Sequence, residues 1–246
     1  MKIQYISDIH LEFLKYNELK NLLIKIIPIS EVCILAGDIG NPYPEHYTML
    51  LEHINKTFKK TFLIAGNHEF YNNSIHETKK QIKELCDTFE NISFLDNTYE
   101  EYEGFRFIGT TQWTEVTNPM YTINDTVNIK DFSVEKYNAL YYESEQFLKD
   151  SIVPNSIIIT HHLPIEGLTH KKYREGFMKN YNQWFNANLD TFIQKHNKDI
   201  KGWFYGHTHS RSVQRYYDVD FYCNPLGYPS ENSYEDINMV CEISLL

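Results

Sequence analysis

Thr61-Phe62-Leu63-Ile64-Ala65-Gly66-Asn67-His68-Glu69 begins as an apolar run and turns at Gly66 into side chains that can hold metals or move protons. Apolar runs of this length suit buried strands. The same succession recurs along the chain. Ile3 to Ile6 leads to Asp8-Ile9-His10 and Val32 to Ala36 to Gly37-Asp38; Ile157 to Thr160 leads to His161-His162, and Trp203 to Tyr205 to Gly206-His207-Thr208-His209. Helical periods separate these strands. Leu19, Leu22, Leu23, Ile26 and Ile27 form one apolar face before Pro28, and Tyr47, Leu50, Leu51, Ile54 and Phe58 form another. Ser74 and Glu77 read as a capping box opening a third helix with Ile75, Ile82 and Leu85 inward, and two more helices are predicted over Ser133 to Asp150 and Asn182 to His196. Short turns join the further runs Ile92 to Leu95, Gly104 to Gly109, Val213 to Tyr217, Asp220 to Cys223 and Ile237 to Ile243. They suggest antiparallel neighbours beside a parallel nucleus, hence a mixed α/β fold.

No repeat, low-complexity tract or Pro/Gly linker divides the 246 residues, so a single domain over 1–246 is expected. A chain of this length, 42% hydrophobic, buries enough surface to fold without a disulfide or metal staple. Cys33, Cys86, Cys223 and Cys241 lack the short paired spacing of zinc or redox motifs and read as buried, reduced thiols. With no basic start ahead of an apolar run and no apolar stretch near the ~18 residues of a membrane span, a soluble, cytoplasmic protein is expected. The formal charge of −10 disfavours binding to nucleic acid or anionic membranes.

Each polar cluster alone is weak, since an Asp-x-His often caps a loop. Their shared position just past a buried strand is the informative feature, because open α/β sheets gather ligands at the carboxyl ends of their strands. Residues two apart in an extended segment project to one side, so Asp8 can share a centre with His10, and His207 and His209 can reach one or two. The donors are N and O without thiolate, a set that suits Mn, Fe, Zn, Ni or Co.

The ordered series Asp-x-His, Gly-Asp, Gly-Asn-His-Glu, His and Gly-His-x-His, from Asp8 to His209, resembles the calcineurin-like metallophosphoesterases. Within them the chain looks like a branch of small, uncharacterised phosphoesterases, through Ser7 to Phe13, Gly66 to Tyr71, Thr160 to Pro164 and Asn224 to Tyr228. The resemblance implies a four-layer α/β/β/α sandwich of two mixed sheets and a pair of divalent ions. It assigns Asp8, His10, Asp38 and His209 to the first metal and Asp38, Asn67, His161 and His207 to the second, with Asp38 bridging. It also assigns His68 to protonating the leaving oxygen or stabilising the transition state. Two such ions can acidify a bridging water and clamp phosphoryl oxygens in line. Against the carboxylates of Asp8 and Asp38 and one hydroxide they leave a net charge of about +1, which attracts a phosphate. A neutral amide at Asn67 preserves that charge.

The chain departs from the protein phosphatases of this fold. Where those carry Asp then Arg after the bridging Asp, it has Asn41 and Pro42, and Leu11 follows His10. Asn41 can orient His68 but cannot stabilise its imidazolium by charge, so a strong carboxylate–histidine dyad is not expected. Glu69 reads equally as a brace for the His68 loop and as a solvated turn residue. His162 reads as a substrate contact or as a neighbour supporting the ligands. The run Lys171, Lys172, Arg174 and Lys179 is either a solvated face or a phosphate clamp, with Arg174 the substrate-binding candidate. Tyr173, Phe177, Tyr181 and Trp184 could stack on a base or pack into the core. Little is legible in the Asn124-Asp125 and Asp131 loop. The expected activity is hydrolysis of a small phosphomonoester or phosphodiester, nucleotides and cyclic nucleotides included. A nuclease on DNA or RNA and a non-catalytic protein-binding scaffold of the same fold are the alternatives.

Overall fold

A computed structural model of the chain describes residues 1–231 and 237–245. Four parallel strands, β1 (Lys2–Ile6), β2 (Val32–Ala36), β3 (Lys60–Ile64) and β4 (Ile92–Phe94), form the first sheet in sequence order, with β11 (Met239–Glu242) antiparallel on the outer edge of β1. In the second sheet, β6 (Phe105–Thr110), β7 (Ser156–Thr160), β8 (Ile200–Tyr205) and β10 (Val219–Cys223) run parallel, with β5 (Thr98–Tyr102) and β9 (Ser212–Tyr216) antiparallel at its edges. β5 has no counterpart among the sequence expectations. Its residues Tyr-Glu-Glu-Tyr over 99–102 are exposed or half-buried, and an edge strand without an apolar run leaves little trace in a sequence.

The pleat divides each central strand between two cores. Ile34, Phe62, Ile64, Phe107, Ile157, Ile159 and Phe204 pack between the sheets, where the Phe62 and Phe107 rings stack with centroids 4.0 Å apart. Gly109 permits this approach, since a Cβ there would lie 2.3 Å from Cβ of Leu95. The residues of opposite parity, Cys33, Leu35 and Leu63 on one sheet and Ile108, Ile158 and Trp203 on the other, meet the helices. Helices α1 (Tyr16–Lys25), α2 (Glu45–Thr57) and α3 (Ile75–Cys86) cover the first sheet, and α5 (Val134–Ser151) and α6 (Asp190–His196) the second, with the single turn α4 (Asp125–Asn128) near the strand ends. The result is the four-layer α/β/β/α sandwich of two mixed sheets.

Serines cap two helices, although at Ser74 the Glu77 side chain accepts the serine hydroxyl at 3.0 Å where the expected capping box would have it accept the Ser74 amide. Ser74 Oγ accepts the Glu77 amide at 3.2 Å, and Ser133 Oγ accepts the Lys136 amide at 3.2 Å. Two further expectations fail. Helix α1 ends at Lys25, which leaves Ile27 half exposed instead of inward. No continuous helix covers Asn182 to His196. A 3-10 segment, Gly176–Trp184, gives way to an extended stretch whose Ala187 amide donates to the Leu163 carbonyl at 2.8 Å, and α6 begins only at Asp190. Asn186 explains the break: its Oδ1 accepts the Asn188 amide at 2.9 Å, and Asn188 adopts φ 55°, a local turn that competes with helix.

Candidate metal centre

Asp8 and His10 follow β1, Asp38 follows β2, Asn67 and His68 follow β3, His161 follows β7, and His207 and His209 follow β8. All of these strands point the same way within their sheets, so their carboxyl ends bring the eight side chains to one edge of the sandwich. The backbone there is unusual. Asp8, His10, Asp38, His207 and His209 all have φ between 47° and 68°, a left-handed region that side chains other than glycine seldom occupy. Hydrogen bonds between loops sustain it. Asp38 Oδ1 accepts the His68 amide at 2.8 Å, Asp8 Oδ1 accepts the His207 amide at 2.9 Å, and the His10 amide donates to the Asp38 carbonyl at 3.0 Å. Glycine is required at 66, where a Cβ would stand 2.2 Å from Asp38 Oδ1.

Glu69 is a fully buried brace. Its carboxylate accepts the amides of Ile39 and Gly66 at 2.7 Å and that of Asp38 at 3.1 Å, tying the loop after β2 to the loop after β3. The reading of Glu69 as a solvated turn residue is therefore corrected.

Among the described residues His10, Asp38 and His68 form one group of ligand-type atoms, and two more groups converge beside it, Asp8, His10 and His209 in one and Asp38, His161 and His207 in the other, within 4.8 Å in each. Asp38 lies between them, its Oδ2 3.2 Å from His161 Nε2 and 3.9 Å from His10 Nε2. The histidine tautomers show what the centre is built to hold. Nδ1 of His10 faces Glu12 Oε1 at 3.0 Å, Nδ1 of His209 faces Glu231 Oε2 at 2.7 Å, and Nδ1 of His161 faces the Ala36 carbonyl at 3.0 Å. Each acceptor takes a hydrogen bond from Nδ1–H, which turns the Nε2 lone pair inward. There the Nε2 atoms of His10 and His209 are 3.0 Å apart, and His161 Nε2 meets Asp38 Oδ2 and Asn67 Oδ1, the latter at 3.2 Å. His207 Nε2 is buried without a hydrogen-bond partner among the described residues. Lone pairs at these separations repel unless a proton or a cation lies among them, so the residues fit a pair of metal ions with N and O donors. In the metal-free protein burial opposes charge on His161, yet the Asp38 carboxylate prevails and raises it to about 10: a proton holds the cation's place.

Asn67 presents its oxygen for a stated reason. Its Nδ2 donates to the fully buried Asp125 at 2.8 Å, and the Tyr71 hydroxyl donates to the same oxygen at 2.7 Å. Burial raises the Asp125 carboxyl above its ordinary value, although these two bonds oppose that.

His68 also has a carboxylate beside it, contrary to the expectation from Asn41. Its Nδ1 donates to Glu12 Oε1 at 3.0 Å, while Asn41 Oδ1 accepts the Tyr43 amide instead. Burial tends to raise the Glu12 carboxyl, but the bonds from His10 and His68 hold it below its ordinary value. Burial likewise works against a charged His68, and Asp38 and Glu12 overcome it, raising His68 to about 9 in the metal-free protein.

Above the cluster opens a cleft of about 330 Å³, lined by His68, Tyr71, Lys172, Tyr173, Phe185 and Tyr228 among others. The sequence expectation of Arg174 as a substrate contact is corrected. Its guanidinium donates to the carbonyls of Gly167 and Thr169, and Lys172 supplies the cation of the cleft lining. A charge run does not reveal which of its members turns inward. His162 does not line the cleft either. It is fully buried between Trp113 and His207, with ring centroids 5.6 and 4.5 Å away, and burial and His161 lower it to about 3, so it is neutral. Tyr173 faces the cleft, Trp184 is core, and Phe177 and Tyr181 pack with Tyr121.

The sequence model of the family described as calcineurin-like phosphoesterase matches residues 1–211. The chain belongs to that family. Membership makes this phosphoesterase a hydrolase. A protein of Acanthamoeba polyphaga mimivirus, described as uncharacterized, is 29% identical to it over 270 aligned positions, covering 94% of this chain and 92% of the viral one. Solved structures that share the fold include two of similar length. The phosphopantetheinyl hydrolase of Mycobacterium tuberculosis superposes with a TM-score of 0.73 at 15% identity, over 94% of the phosphoesterase and 90% of that chain. The protein TT1561 of Thermus thermophilus gives 0.59 at 10% identity, over 91% and 88%.

Proposed function

We propose that this phosphoesterase is a single-domain enzyme, over 1–246, that hydrolyses a small phosphomonoester or phosphodiester with two divalent ions. Asp8, His10, Asp38 and His209 hold the first ion, and Asp38, Asn67, His161 and His207 the second. The observation that carries the reading is the place of Asp38, one carboxylate between two groups of inward lone pairs. Bound ions at such a centre supply an acidified water and an electrophilic pull on phosphoryl oxygens. Mn, Fe, Zn, Ni and Co all suit the donor set.

The chain's own residues supply the rest. Glu12 accepts a hydrogen bond from Nδ1–H of His68, which leaves Nε2 near the cleft, 3.4 Å from the Tyr228 hydroxyl, to give a proton to the departing oxygen. Lys172 favours an anion at the mouth. A cleft of about 330 Å³ suits a small substrate, nucleotides included. A nuclease needs a cationic track for the backbone, and the overall charge of −10 opposes one. A non-catalytic scaffold has no use for inward lone pairs and a buried His68. Among the described residues no helix is long and apolar enough to cross a membrane. The free, buried state of the four cysteines supports a reducing, cytoplasmic setting.

The test is turnover of p-nitrophenyl phosphate and bis-p-nitrophenyl phosphate by purified protein loaded with each metal in turn, beside His68→Ala. Turnover of either ester, falling by about 100-fold or more in the variant, is expected. Wild-type protein with two bound ions that does no better than His68→Ala would favour the scaffold.

A further inference from the structure

One oxygen of Glu12 serves two histidines. Oε1 accepts Nδ1–H of His10 and Nδ1–H of His68, each at 3.0 Å, and the two rings meet edge to face with centroids 4.5 Å apart. The local backbone makes this possible. His10 is left-handed, with φ 53°, and Leu11–Phe13 form a single 3-10 turn, so the chain doubles back and sets the carboxylate between both imidazoles. The same oxygen therefore orients a candidate metal ligand and the candidate proton donor.

A second cavity, of about 790 Å³, adjoins the cleft and shares His68, Tyr71, Asn124 and Tyr228 with it. Phe13, Asn41, Asn72 and Asn128 line it together with Glu12 itself, whose carboxylate is engaged by the two histidines, and none of its described lining residues is Lys or Arg. Amides and rings suit an uncharged polar group and offer nothing to a second phosphate.

We infer that Glu12 is a positioning residue acting through His68, and that the pair suits the site to esters of uncharged aliphatic alcohols, which leave into this second cavity. The inference rests on the phosphoesterase reading above. In the step, water oxygen bonds to phosphorus and the ester P–O bond breaks. The departing oxygen keeps the electron pair and takes the Nε2 proton, leaving a neutral alcohol and a neutral imidazole. The water's proton passes to solvent, and one from solvent restores His68. An alkoxide depends on that proton, whereas a nitrophenolate or a phosphate draws on His68 only for stabilisation of transition-state charge, so the Glu12 carboxylate beside His68 matters most for alkyl esters.

The experiment compares wild type, Glu12→Gln, His68→Ala and the double variant, all with bound metal counted, on β-glycerophosphate and p-nitrophenyl phosphate. Glutamine keeps an acceptor oxygen for both rings and removes only the charge. In Glu12→Gln the alkyl ester is expected to lose about 30-fold more turnover than the aryl ester, with metal content as in wild type. The double variant should be no slower on β-glycerophosphate than His68→Ala. Equal losses on the two esters, additive losses in the double variant, or loss of metal from Glu12→Gln alone would each make Glu12 a support of His10 only and overturn the inference. Wild-type protein that turns over neither ester overturns the underlying reading instead, whatever Glu12→Gln does.

Discussion

At Asn67 the two ends of one amide have different duties. The nitrogen is committed to Asp125, and the oxygen is thereby turned to His161. Asp125→Ala frees the amide to rotate, and such outer partners of a ligand typically contribute 10- to 100-fold. A fall in kcat/KM of about 30-fold, with the fold retained by circular dichroism, is the expected outcome. A change below about twofold would remove Asp125 from the account. His161 gives a pH test. Because the metal-free imidazole is raised to about 10, a cation arriving at pH 7 must displace its proton, so affinity rises as pH rises and stops rising only above that value. Calorimetric titration at pH 6, 7 and 8 in buffers of different ionisation heat should show tightening with pH and proton release. Affinity independent of pH would contradict the tautomers described.

The loops after the strands behave as a stitched unit, and Glu69 is the stitch between two of them. Glu69→Ala strands four buried amides, those of Asp38, Ile39, Gly40 and Gly66, each worth about 1–3 kcal/mol when left without an acceptor. Chemical denaturation should record a loss of about 3 kcal/mol or more, and metal binding should weaken with it. At this scale the division between legible and illegible is physical. Strand ends and the ligands that follow them are adjacent in sequence, so Ile64 and Asn67, or Tyr205 and His207, carry their own signal. Partners that meet only in the fold do not: Glu12 and His68 lie 56 residues apart, Asn67 and Asp125 58, and His209 and Glu231 22. Asn41 drew attention because it occupies the expected place in sequence, while Glu12 reaches the same imidazole from the loop after β1. The helix expected over Asn182 to His196 failed for a related reason, since the turn at Asn186 and Asn188 and the pairing with Leu163 outweigh helical periodicity.

For the whole molecule, repulsion among inward donors at one end of the sandwich means that cations should stabilise the fold. Linkage gives about 2.7 kcal/mol when free metal exceeds its dissociation constant 100-fold. A chain of this size gains roughly 2–4 °C in Tm per kcal/mol. Stripping metal with a chelator should therefore lower Tm by about 5–10 °C, and restoring Mn or Zn should recover it. An unchanged Tm would mean that the centre holds no cation tightly.

The most direct measurement is anomalous scattering from crystals grown with Mn or Zn. Two peaks roughly 3.5–4 Å apart, both touching the carboxylate of Asp38, are expected, one beside His10 and His209 and the other beside Asn67, His161 and His207. Metal elsewhere, or a single ion that leaves Asp38 uncoordinated while ester hydrolysis persists, would contradict it.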